Sequence, residues 1–482
     1  MNSRRAACHL AACLLFVTPP VPAAVADGVV RELPPPVRAA LSRFGLDGSG
    51  LSVYIADVNS GDPVFAWRQD VARNPASTMK LVTGLAALEI LEPSYRWSTH
   101  VAAAAEPLNG TLDGDLFFVG GGDPYLVEER LWLLVRELRQ AGLETIAGDI
   151  VIDDSLFAPI NEDSGAFDAQ PFRIYNVAPS AVLTNFNAIR FRFAPDRRDG
   201  RVSIQAYPAL PTLNIDNRLR LAERRCGGYR RGISMLVDDG TVRFEGRFPS
   251  RCRRYGFTRS VLPAVDYTGG LFASLWRQSG GSFDGAIVRG RAPDDAVELL
   301  EFPSEPLGKA VWLMNKHSSN LIARHLLLTI GAERLGGPAT EEKGVMAVTG
   351  WLREAGLAFP ELVIENGAGR SRVARISAEH LVALIRYGFS SHYMPEFLAS
   401  MAILGEDGTL DDRHENSRHR SQAHFKTGRL DHVQALAGIY QDREGRRYAV
   451  AILHNALDVH RGGAEAVQDT LLEWLGSQND PG

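Results

Sequence analysis

Apolar and polar residues alternate near both ends of the chain, which is the pattern of half-buried β-strands. Residues 50–70, GLSVYIADVNSGDPVFAWRQD, predict two strands around a turn at residues 59–63. Residues 434–455, QALAGIYQDREGRRYAVAILHN, predict two more around Glu444 and Gly445. Helical segments separate the two pairs, so the pattern predicts one α+β domain built from both ends of the sequence.

Apolar residues at helical spacing predict helices within that domain. Residues 73–91, RNPASTMKLVTGLAALEIL, contain a long apolar run that begins near Ser77 and is stopped by Pro93. A second apolar run follows Ser318, and residues 462–476, GGAEAVQDTLLEWLG, have the amphipathic period of a surface helix.

The stretch from residue 98 to residue 295 has a different composition. Short apolar runs lie between Gly, Asp and Pro, as in GDLFFVGGGDP (114–124) and AGDIVIDDSLF (147–157). This pattern predicts a strand-rich insertion of two subdomains. The insertion would interrupt a domain formed by residues 27–97 and 296–482.

Residues 1–26 have the layout of a secretory signal peptide. Two arginines precede a short apolar stretch, and the small residues Ala-Val-Ala end at Ala26. We expect cleavage after Ala26, export to the periplasm and no transmembrane anchor, because the apolar stretch is too short to span a bilayer. The alternative is lipidation, since the sequence LAAC ending at Cys13 resembles a lipoprotein cleavage site.

Length and charge narrow the class of protein. A chain of 482 residues is too long for one compact core, so two or three domains are expected. The formal net charge of −5 gives no overall basic field, so nucleic acid is not an expected partner. Locally, however, the segment from Arg218 to Arg259 holds twelve arginines. It is either a solvated face of β structure or a basic patch that faces anionic envelope polymers.

Cys226 and Cys252 are the two cysteines outside the predicted signal peptide. In an oxidising compartment they either pair, which would contribute roughly 3 kcal/mol to stability, or remain two free thiols. Two cysteines without a nearby pair of histidines do not make a metal site.

Ser77 and Lys80 lie at the head of the first apolar helix, where packing gives no reason for a lysine. Residues three apart share a helix face, so the amine can reach the hydroxyl. Burial and the positive end of the helix dipole both disfavour an ammonium there, which would let Lys80 act as a general base towards Ser77. The alternative is that Ser77 caps the helix while Lys80 snorkels to the surface.

Two further motifs follow in a fixed order. A Ser-x-Asn motif starts the second apolar helix, and a Lys-Thr-Gly motif opens a strand. Ser-x-x-Lys, Ser-x-Asn and Lys-Thr-Gly in this order form the signature of penicillin-binding proteins and serine β-lactamases. The residues of the signature are Ser77, Lys80, Ser318, Asn320, Lys426, Thr427 and Gly428.

Within that group, the chain resembles the low-molecular-mass class C penicillin-binding proteins, a family of serine D-alanyl-D-alanine carboxypeptidases and endopeptidases. Supporting stretches run along nearly the whole length, among them PSAVLTNFN (179–187), NGAGRSR (366–372) and KTGRLDHVQALAGIY (426–440). The long insertion after Ser-x-x-Lys is itself typical of class C. The resemblance implies a penicillin-recognising α+β fold, with an antiparallel sheet flanked by helices and a large strand-rich insertion.

The resemblance also implies a role for each residue of the signature. Ser77 would attack the carbonyl of the penultimate D-alanine of a peptidoglycan stem peptide, and Lys80 would take its proton. Ser318 would relay a proton to the departing D-alanine, Asn320 would orient Lys80, and Lys426 would attract the substrate carboxylate. β-Lactam antibiotics would acylate the same serine. Water would then release the acyl group, and no metal or cofactor is expected.

Other residues would complete the site. The strand with Thr427 and Gly428 would pair with the substrate backbone, and the N–H groups of Ser77 and Arg429 would form an oxyanion hole. Arg372 would help to hold the terminal carboxylate, and the adjacent acids 153 and 154 fall near the place where some relatives contact the free end of the diamino acid.

The chain departs from the family pattern in several places. Arg429 stands where Thr or Ser is usual, and it either binds the carboxylate itself or crowds the site. The family's usual Asp, Ser and Leu are replaced by Asn366, Ala368 and Arg370. These changes leave the signature intact but bear on substrate preference.

Two other functions would use the same motifs. A β-lactamase would hydrolyse bound penicillin quickly, but the large insertion and Arg372 argue against it. A non-catalytic peptidoglycan-binding protein would fail to acylate Ser77, and the intact signature argues against that.

His317 and His424 adjoin two of the motifs. Because a lysine already supplies a base, we expect both histidines at the edge of the site or in packing. The turn GGGDP lacks the Lys-Ser/Thr of a phosphate-binding loop.

Overall fold

The computed structural model describes residues 29–196, 199–223, 225–226, 232–238, 240–415 and 417–478. The predicted signal peptide and the alternative lipidation site lie outside the described residues. No helix of the described chain is both long enough and apolar enough to cross a bilayer.

Ten α-helices occur among the described residues. In chain order they are α1 (Pro35–Arg43), α2 (Lys80–Leu91), α3 (Glu128–Gln140), α4 (Ala264–Gln278), α5 (Leu307–Lys316), α6 (Asn320–Leu335), α7 (Glu341–Glu354), α8 (Ala378–Ser390), α9 (Met394–Ser400) and α10 (Gly463–Ser477).

The same residues contain twenty strands. In chain order they are β1 (Leu51–Asp57), β2 (Pro63–Trp67), β3 (Ser98–Ala103), β4 (Thr111–Leu112), β5 (Leu116–Val119), β6 (Thr145–Ile146), β7 (Ile150–Asp153), β8 (Ile189–Asp196), β9 (Arg201–Tyr207), β10 (Asn214–Ala222), β11 (Ile233–Asp238), β12 (Thr241–Pro249), β13 (Tyr255–Arg259), β14 (Ser282–Phe283), β15 (Ile287–Arg289), β16 (Val297–Pro303), β17 (Ala402–Ile403), β18 (Ala423–Leu430), β19 (Val433–Gln441) and β20 (Arg447–Asn455).

A six-stranded antiparallel sheet in the order β17-β18-β19-β20-β1-β2 joins the two ends of the sequence. The two predicted hairpins are both present, β1 with β2 and β19 with β20. The first strand of the early hairpin pairs directly with the last strand of the late one. The predicted α+β class, with an antiparallel sheet flanked by helices, is therefore confirmed.

Helices cover both faces of this sheet. One apolar core includes residues of α2 and α5 to α9, and a second core on the other face includes residues of α1 and α10. Strands β19 and β20 are consequently buried on both faces along almost their whole length. Alternate positions of these strands face two different helical layers rather than one layer and water.

Helix α2 runs through the middle of the larger core. Ten of its twelve residues are buried, because its sequence KLVTGLAALEIL is apolar on all sides. It ends where Glu92 takes a positive φ of 69°, one residue before Pro93. The helix is thus a rigid support for the residues at its N-terminal end, which include Lys80.

The inserted region contains more than strands. A five-stranded sheet in the order β15-β7-β5-β3-β16 packs with helices α3 and α4, neither of which was predicted. Strand β16 follows the boundary expected at residue 295, yet it pairs with β3 in this sheet. The domain boundaries themselves stay a prediction.

Two three-stranded sheets form a small sandwich in the same region, β13-β8-β9 and β10-β12-β11. Aromatic rings fill the space between them: Phe244 lies edge-on to Phe191 and Phe193, with ring centres 5.1 Å apart in each case. Beside the sandwich, Cys226 and Cys252 form a disulfide. Of the two states left open by the sequence, the structure therefore has the paired one.

Candidate active site

Ser77 lies in a single 3₁₀ turn, Ala76–Met79, that leads directly into α2. The sequence predicted an α-helix from about Ser77, whereas the α-helix begins at Lys80. Buried Asn74 fixes the turn: its side chain accepts the Ala76 N–H at 2.9 Å and donates to the Ser371 carbonyl at 2.8 Å. Ala76 has a positive φ of 46°, so the turn that presents Ser77 is a strained conformation held by its surroundings.

Lys80 is fully buried, and its amine contacts three oxygen atoms. Its Nζ lies 2.9 Å from Ser77 Oγ, 2.8 Å from Asn320 Oδ1 and 2.6 Å from the Ala368 carbonyl oxygen. A neutral amine has two N–H groups and one lone pair. If the two carbonyl oxygens accept the N–H groups, the lone pair faces the Ser77 hydroxyl.

Burial lowers the pKa of Lys80 well below its ordinary value of 10.5, and the charge of Lys426 lowers it further. No carboxylate among the described residues forms an ion pair with Lys80. Desolvation is therefore not offset, and the neutral amine is favoured. This is the protonation state that a general base needs.

Ser318 and Lys426 form a second hydroxyl–amine pair. Lys426 Nζ donates to Ser318 Oγ at 2.9 Å and to the Thr427 carbonyl at 2.8 Å. Lys426 is fully buried, and desolvation lowers its pKa from 10.5 to about 7. Ser318 has a positive φ of 55° in the short link between α5 and α6, and Ser319 caps α6 by accepting the Ile322 N–H.

The loop that carries Ser318 is held by contacts with residues 407–409. Lys316, almost completely buried, donates to Asp407 at 2.5 Å. Thr409 lies two residues after Asp407, and its hydroxyl accepts a hydrogen bond from the Thr427 hydroxyl at 2.8 Å. The segment around residues 407–409 therefore holds both the Ser318 loop and the strand of Lys426.

Strand β18 passes very close to the turn of Ser77. A Cβ atom at Gly428 would lie 2.6 Å from the Pro75 carbonyl oxygen and 3.1 Å from the Ser77 nitrogen. A residue with a side chain would push the two segments apart. Gly428 thus lets the strand lie against the turn, and Arg429 follows it with an exposed side chain.

An aromatic residue of the inserted region reaches the same site. The guanidinium groups of Arg370 and Arg372 stack on the ring of Phe167, at 4.5 and 4.4 Å from its centre. Arg372 is half exposed and lies 3.7 Å from a carboxylate oxygen of Asp431. A second contact comes from Tyr175, whose carbonyl oxygen accepts the Asn320 amide at 3.3 Å.

Comparison with known families and proteins identifies the family to which this chain belongs. Residues 37–477 match the model of the D-Ala-D-Ala carboxypeptidase 3 (S13) family. The chain belongs to this family. It is therefore a serine-type D-Ala-D-Ala carboxypeptidase, in agreement with the class C resemblance.

Individual members of the S13 family are similar to the chain over most of its length. A D-alanyl-D-alanine carboxypeptidase of an Actinomadura species is 29% identical over 505 residues, which cover 100% of this chain and 93% of the relative. The carboxypeptidase DacB of Haemophilus influenzae is 24% identical over 405 residues, covering 84% of this chain and 85% of the relative.

Solved structures support the same fold. The crystal structure of penicillin-binding protein 4 from Haemophilus influenzae superposes with a TM-score of 0.79 at 22% identity, covering 91% of this chain and 99% of that one. A peptidoglycan endopeptidase of Bdellovibrio bacteriovorus superposes with a TM-score of 0.52 at 17% identity, covering 89% and 92%. The predicted penicillin-recognising fold with its insertion is confirmed.

The structure brings together all five residues predicted to be catalytic. Ser77, Lys80 and Asn320 are joined by hydrogen bonds, and Ser318 and Lys426 form a second bonded pair. The Lys-Thr-Gly motif lies inside β18, which begins at residue 423, and does not open the strand as predicted. The roles of these residues in the S13 enzyme stay predictions.

Several contacts at the site could not be found from motifs. Asn74, Phe167, Tyr175 and Thr409 lie in sequence stretches without a catalytic signature, and Ala368 contributes only a backbone carbonyl. The departure at Asn366 has a structural use, since its side chain donates to the Arg370 carbonyl and accepts the Ala368 N–H. It thereby shapes the loop whose carbonyl contacts Lys80.

Two histidines that adjoin the motifs, and two acids of the inserted region, have surroundings of their own. His317 is exposed and packs edge-on against Trp312, and His424 has a pKa lowered by burial. Neither histidine has a hydrogen bond to Ser77 in the described chain. Asp153 accepts backbone N–H groups, and Asp154 pairs with Arg289, so both acids have structural contacts.

One group of potential metal ligands occurs among the described residues, where the turn between β18 and β19 meets the segment that follows β20. Ligand atoms of His432, Asp458 and His460 lie within 4.8 Å of one another. However, Nδ1 of each histidine accepts a backbone N–H, at 2.9 and 3.0 Å. In the neutral rings the other nitrogen then carries the proton, so neither ring has a free lone pair for a metal.

Proposed function

We propose that Ser77 is the nucleophile of a D-Ala-D-Ala carboxypeptidase that acts through an acyl-enzyme. The observation that carries the proposal is the environment of Lys80. Its amine is buried, lacks a counter-ion among the described residues and lies 2.9 Å from the Ser77 hydroxyl. A serine is a weak nucleophile unless a base takes its proton, and this amine is suited to that task.

In the acylation step, Ser77 Oγ forms a bond to the carbonyl carbon of the penultimate D-alanine. The Ser77 proton passes to Lys80, whose two other contacts accept its N–H groups. The amide bond to the terminal D-alanine then breaks and its nitrogen takes up a proton from Ser318, while Lys80 passes its own proton on to the Ser318–Lys426 pair and is neutral again. In the second step, water gives a proton to the neutral Lys80 amine as its oxygen bonds to the ester carbonyl carbon, the bond to Ser77 Oγ breaks, and Lys80 returns that proton to the serine.

Ser318 and Lys426 are proposed to deliver the proton to the leaving amine. Lys426 donates to Ser318 Oγ at 2.9 Å, so the Ser318 proton is free to point towards the departing nitrogen. With a pKa of about 7, Lys426 is near balance between donor and base at neutral pH. Asn320 keeps Lys80 in place through its 2.8 Å contact.

The terminal carboxylate of the substrate is proposed to bind a cluster of cations. Lys426 lies at the floor of the site, Arg429 follows on the same strand, and Arg372 stands at the rim. Arg429 forms no ion pair with any described residue, so its guanidinium is available to a carboxylate. Thr427 and Gly428 lie on the strand that would pair with the substrate backbone, and the N–H groups of Ser77 and Arg429 would bind the oxyanion.

β-Lactams are proposed to acylate Ser77 because they present a reactive amide next to a carboxylate. A structure of the Haemophilus influenzae penicillin-binding protein 4 carries a β-lactam, and its fold is shared by this chain. We also propose export to the periplasm, where stem peptides ending in D-Ala-D-Ala occur. The N-terminal pattern ending at Ala26 supports this location.

Labelling with fluorescent penicillin tests the nucleophile. Wild-type protein should give a stable labelled band, and Ser77→Ala should give none while keeping the wild-type circular dichroism spectrum. Ser319→Ala is a matched control, because it removes a nearby hydroxyl that only caps α6, and it should label normally. A band of full intensity from Ser77→Ala would refute the assignment.

A second activity, DD-endopeptidase cleavage of cross-links, follows from the same chemistry. In a cross-link the leaving amine also stands next to a carboxylate, so the same cations fit it. The shared fold with an endopeptidase of Bdellovibrio bacteriovorus supports testing it. Purified cross-linked muropeptide dimers should be converted to monomers by wild type and not by Ser77→Ala. Unchanged dimers beside full cleavage of pentapeptides would limit the function to the carboxypeptidase.

A further inference from the structure

The β10-β12-β11 sheet has an outer face with two unlike halves. At one end, Arg218 and Arg243 both pair with Asp216, at 3.0 and 2.7 Å. Glu245 lies within 3.9 Å of both arginines. The charges of this half therefore compensate one another.

At the other end, no ion pair to an arginine occurs among the described residues. Arg220 and Arg247 are direct neighbours on the parallel strands β10 and β12, and both are exposed. Like charges in directly opposite positions destabilise a sheet. The pair thus costs stability unless something outside the fold compensates its charge.

Further arginines extend this half beyond the sheet. Residues 225, 251 and 253 flank the two cysteines of the disulfide, whose Cα atoms are 4.7 Å apart. The basic end, as we name it, consists of six exposed arginines: Arg220, Arg225, Arg247, Arg251, Arg253 and Arg254.

Within the described stretches 220–223, 225–226 and 247–254 there is one carboxylate, Glu223, and it forms no ion pair with these arginines. The disulfide ties the segment of Arg225 to that of Arg251 and Arg253. The charges are therefore gathered on a cross-linked frame and not on a free tail.

We propose that the basic end binds a linear anionic polysaccharide that carries carboxylate or phosphate groups. The planar guanidinium group bonds such oxyanions with two parallel hydrogen bonds, and several arginines can engage successive charges along one chain. Binding would hold the enzyme on a polymer independently of the catalytic site. The whole chain has a net charge of −5, so this attraction is local and not a property of the protein as a whole.

A polysaccharide fits the basic end better than a membrane does. Proteins that lie on membranes combine basic residues with exposed apolar residues that enter the lipid. The basic end contains no large apolar residue that is exposed in the described chain, and exposed Leu236 pairs with Arg243 in the compensated half. The same lack of exposed aromatic rings disfavours single-stranded nucleic acid, which uses stacking.

The test measures binding of the full-length mature protein to polygalacturonate, with neutral dextran as the reference polymer. The triple variant Arg220→Ser, Arg247→Ser and Arg253→Ser removes three charges from the basic end. The matched control Arg218→Ser, Arg243→Ser and Arg334→Ser removes three solvent-accessible but ion-paired arginines. Penicillin labelling of each variant reports that the catalytic domain is folded.

Wild type and the control variant should bind polygalacturonate with an affinity that falls as NaCl rises, and neither should bind dextran. The basic-end variant should lose about tenfold or more of that affinity, since each exposed charge contact contributes modestly and three are removed. Equal affinity of both variants would overturn the proposal. Binding to phosphatidylglycerol vesicles but not to polygalacturonate would also overturn it, in favour of a membrane.

Discussion

Replacing Lys426 with methionine tests the charge state of the buried cations directly. Methionine has a similar length and no charge, and Lys426 is fully buried. In the folded protein its pKa is about 7, against 10.5 for an ordinary lysine. Between these two pH values the unfolded chain binds more protons than the folded one. Folding stability must then rise with pH over this window, and this contribution is lost in the variant.

The magnitude follows from the pKa difference. Lowering the pKa of Lys426 from 10.5 to about 7 destabilises the folded protein by about 5 kcal/mol at low pH, where the lysine is charged in both the folded and the unfolded chain. At pH 7 the folded protein has lost half of this proton, so the destabilisation is about 4 kcal/mol. At pH 10 the destabilisation is about 1 kcal/mol. The methionine variant also loses contacts to Ser318 and Thr427, which costs roughly 2 kcal/mol at every pH.

Urea unfolding of wild type and Lys426→Met at pH 7, 8.5 and 10 measures the effect. The unfolding free energy of the variant relative to wild type should fall by about 3 kcal/mol from pH 7 to pH 10. Lys309→Met, which removes an exposed lysine of α5, should differ from wild type by less than about 0.5 kcal/mol throughout. A constant difference for Lys426→Met would mean that the buried amine keeps an ordinary pKa, and the proposed proton delivery would fail.

Three further substitutions test the geometry of the site. Asn320→Ala removes an acceptor of the Lys80 amine and should slow penicillin acylation by about 100-fold; an unchanged rate would mean that Lys80 needs no such support. Gly369→Ala places a Cβ 1.8 Å from the Ala76 carbonyl oxygen, in a residue with a φ of +73°. It should lower the unfolding free energy by about 2–4 kcal/mol and slow labelling, whereas normal labelling and stability would contradict the close packing. Arg429→Ser should raise KM about tenfold for a peptide ending in D-Ala-D-Ala and leave KM for its C-terminal amide unchanged; a lower KM would show that the arginine crowds the site.

The residues of the signature could be predicted from the sequence because their chemistry is carried by side chains at fixed spacing. Ser77 and Lys80 are three residues apart, so local geometry alone brings them together. The contact of Lys80 with the distant residue Asn320 can be predicted only from the order of the three motifs. No local pattern indicates that the Ala368 carbonyl contacts Lys80, since any residue has a carbonyl and only the tertiary fold selects this one.

The missed helices of the insertion have two different explanations. Helix α3 does carry the signal, because Leu131, Leu134, Val135 and Leu138 are buried at helical spacing. Strand-like apolar runs lie on either side of it, and they give the region as a whole the pattern of strands. Helix α4 contains adjacent glycines in AVDYTGGLFASLWRQ, and glycine disfavours isolated helices. There, packing against the insertion's core overrides local propensity.

The pairing of β1 with β20 has a consequence for how the enzyme folds. Leu51 pairs with His454, so about 400 residues must be made before the central strands of the sheet can meet. Contacts of such long sequence separation form late, because the chain entropy of closing the loop is lost first. The inserted sheets close over shorter separations and can form while the chain is still emerging. The Ser77 hydroxyl lies near the start of the sequence, but its activation needs a buried Lys80 amine and therefore the completed sheet. A polypeptide that is cut short in synthesis or transport thus carries no working nucleophile.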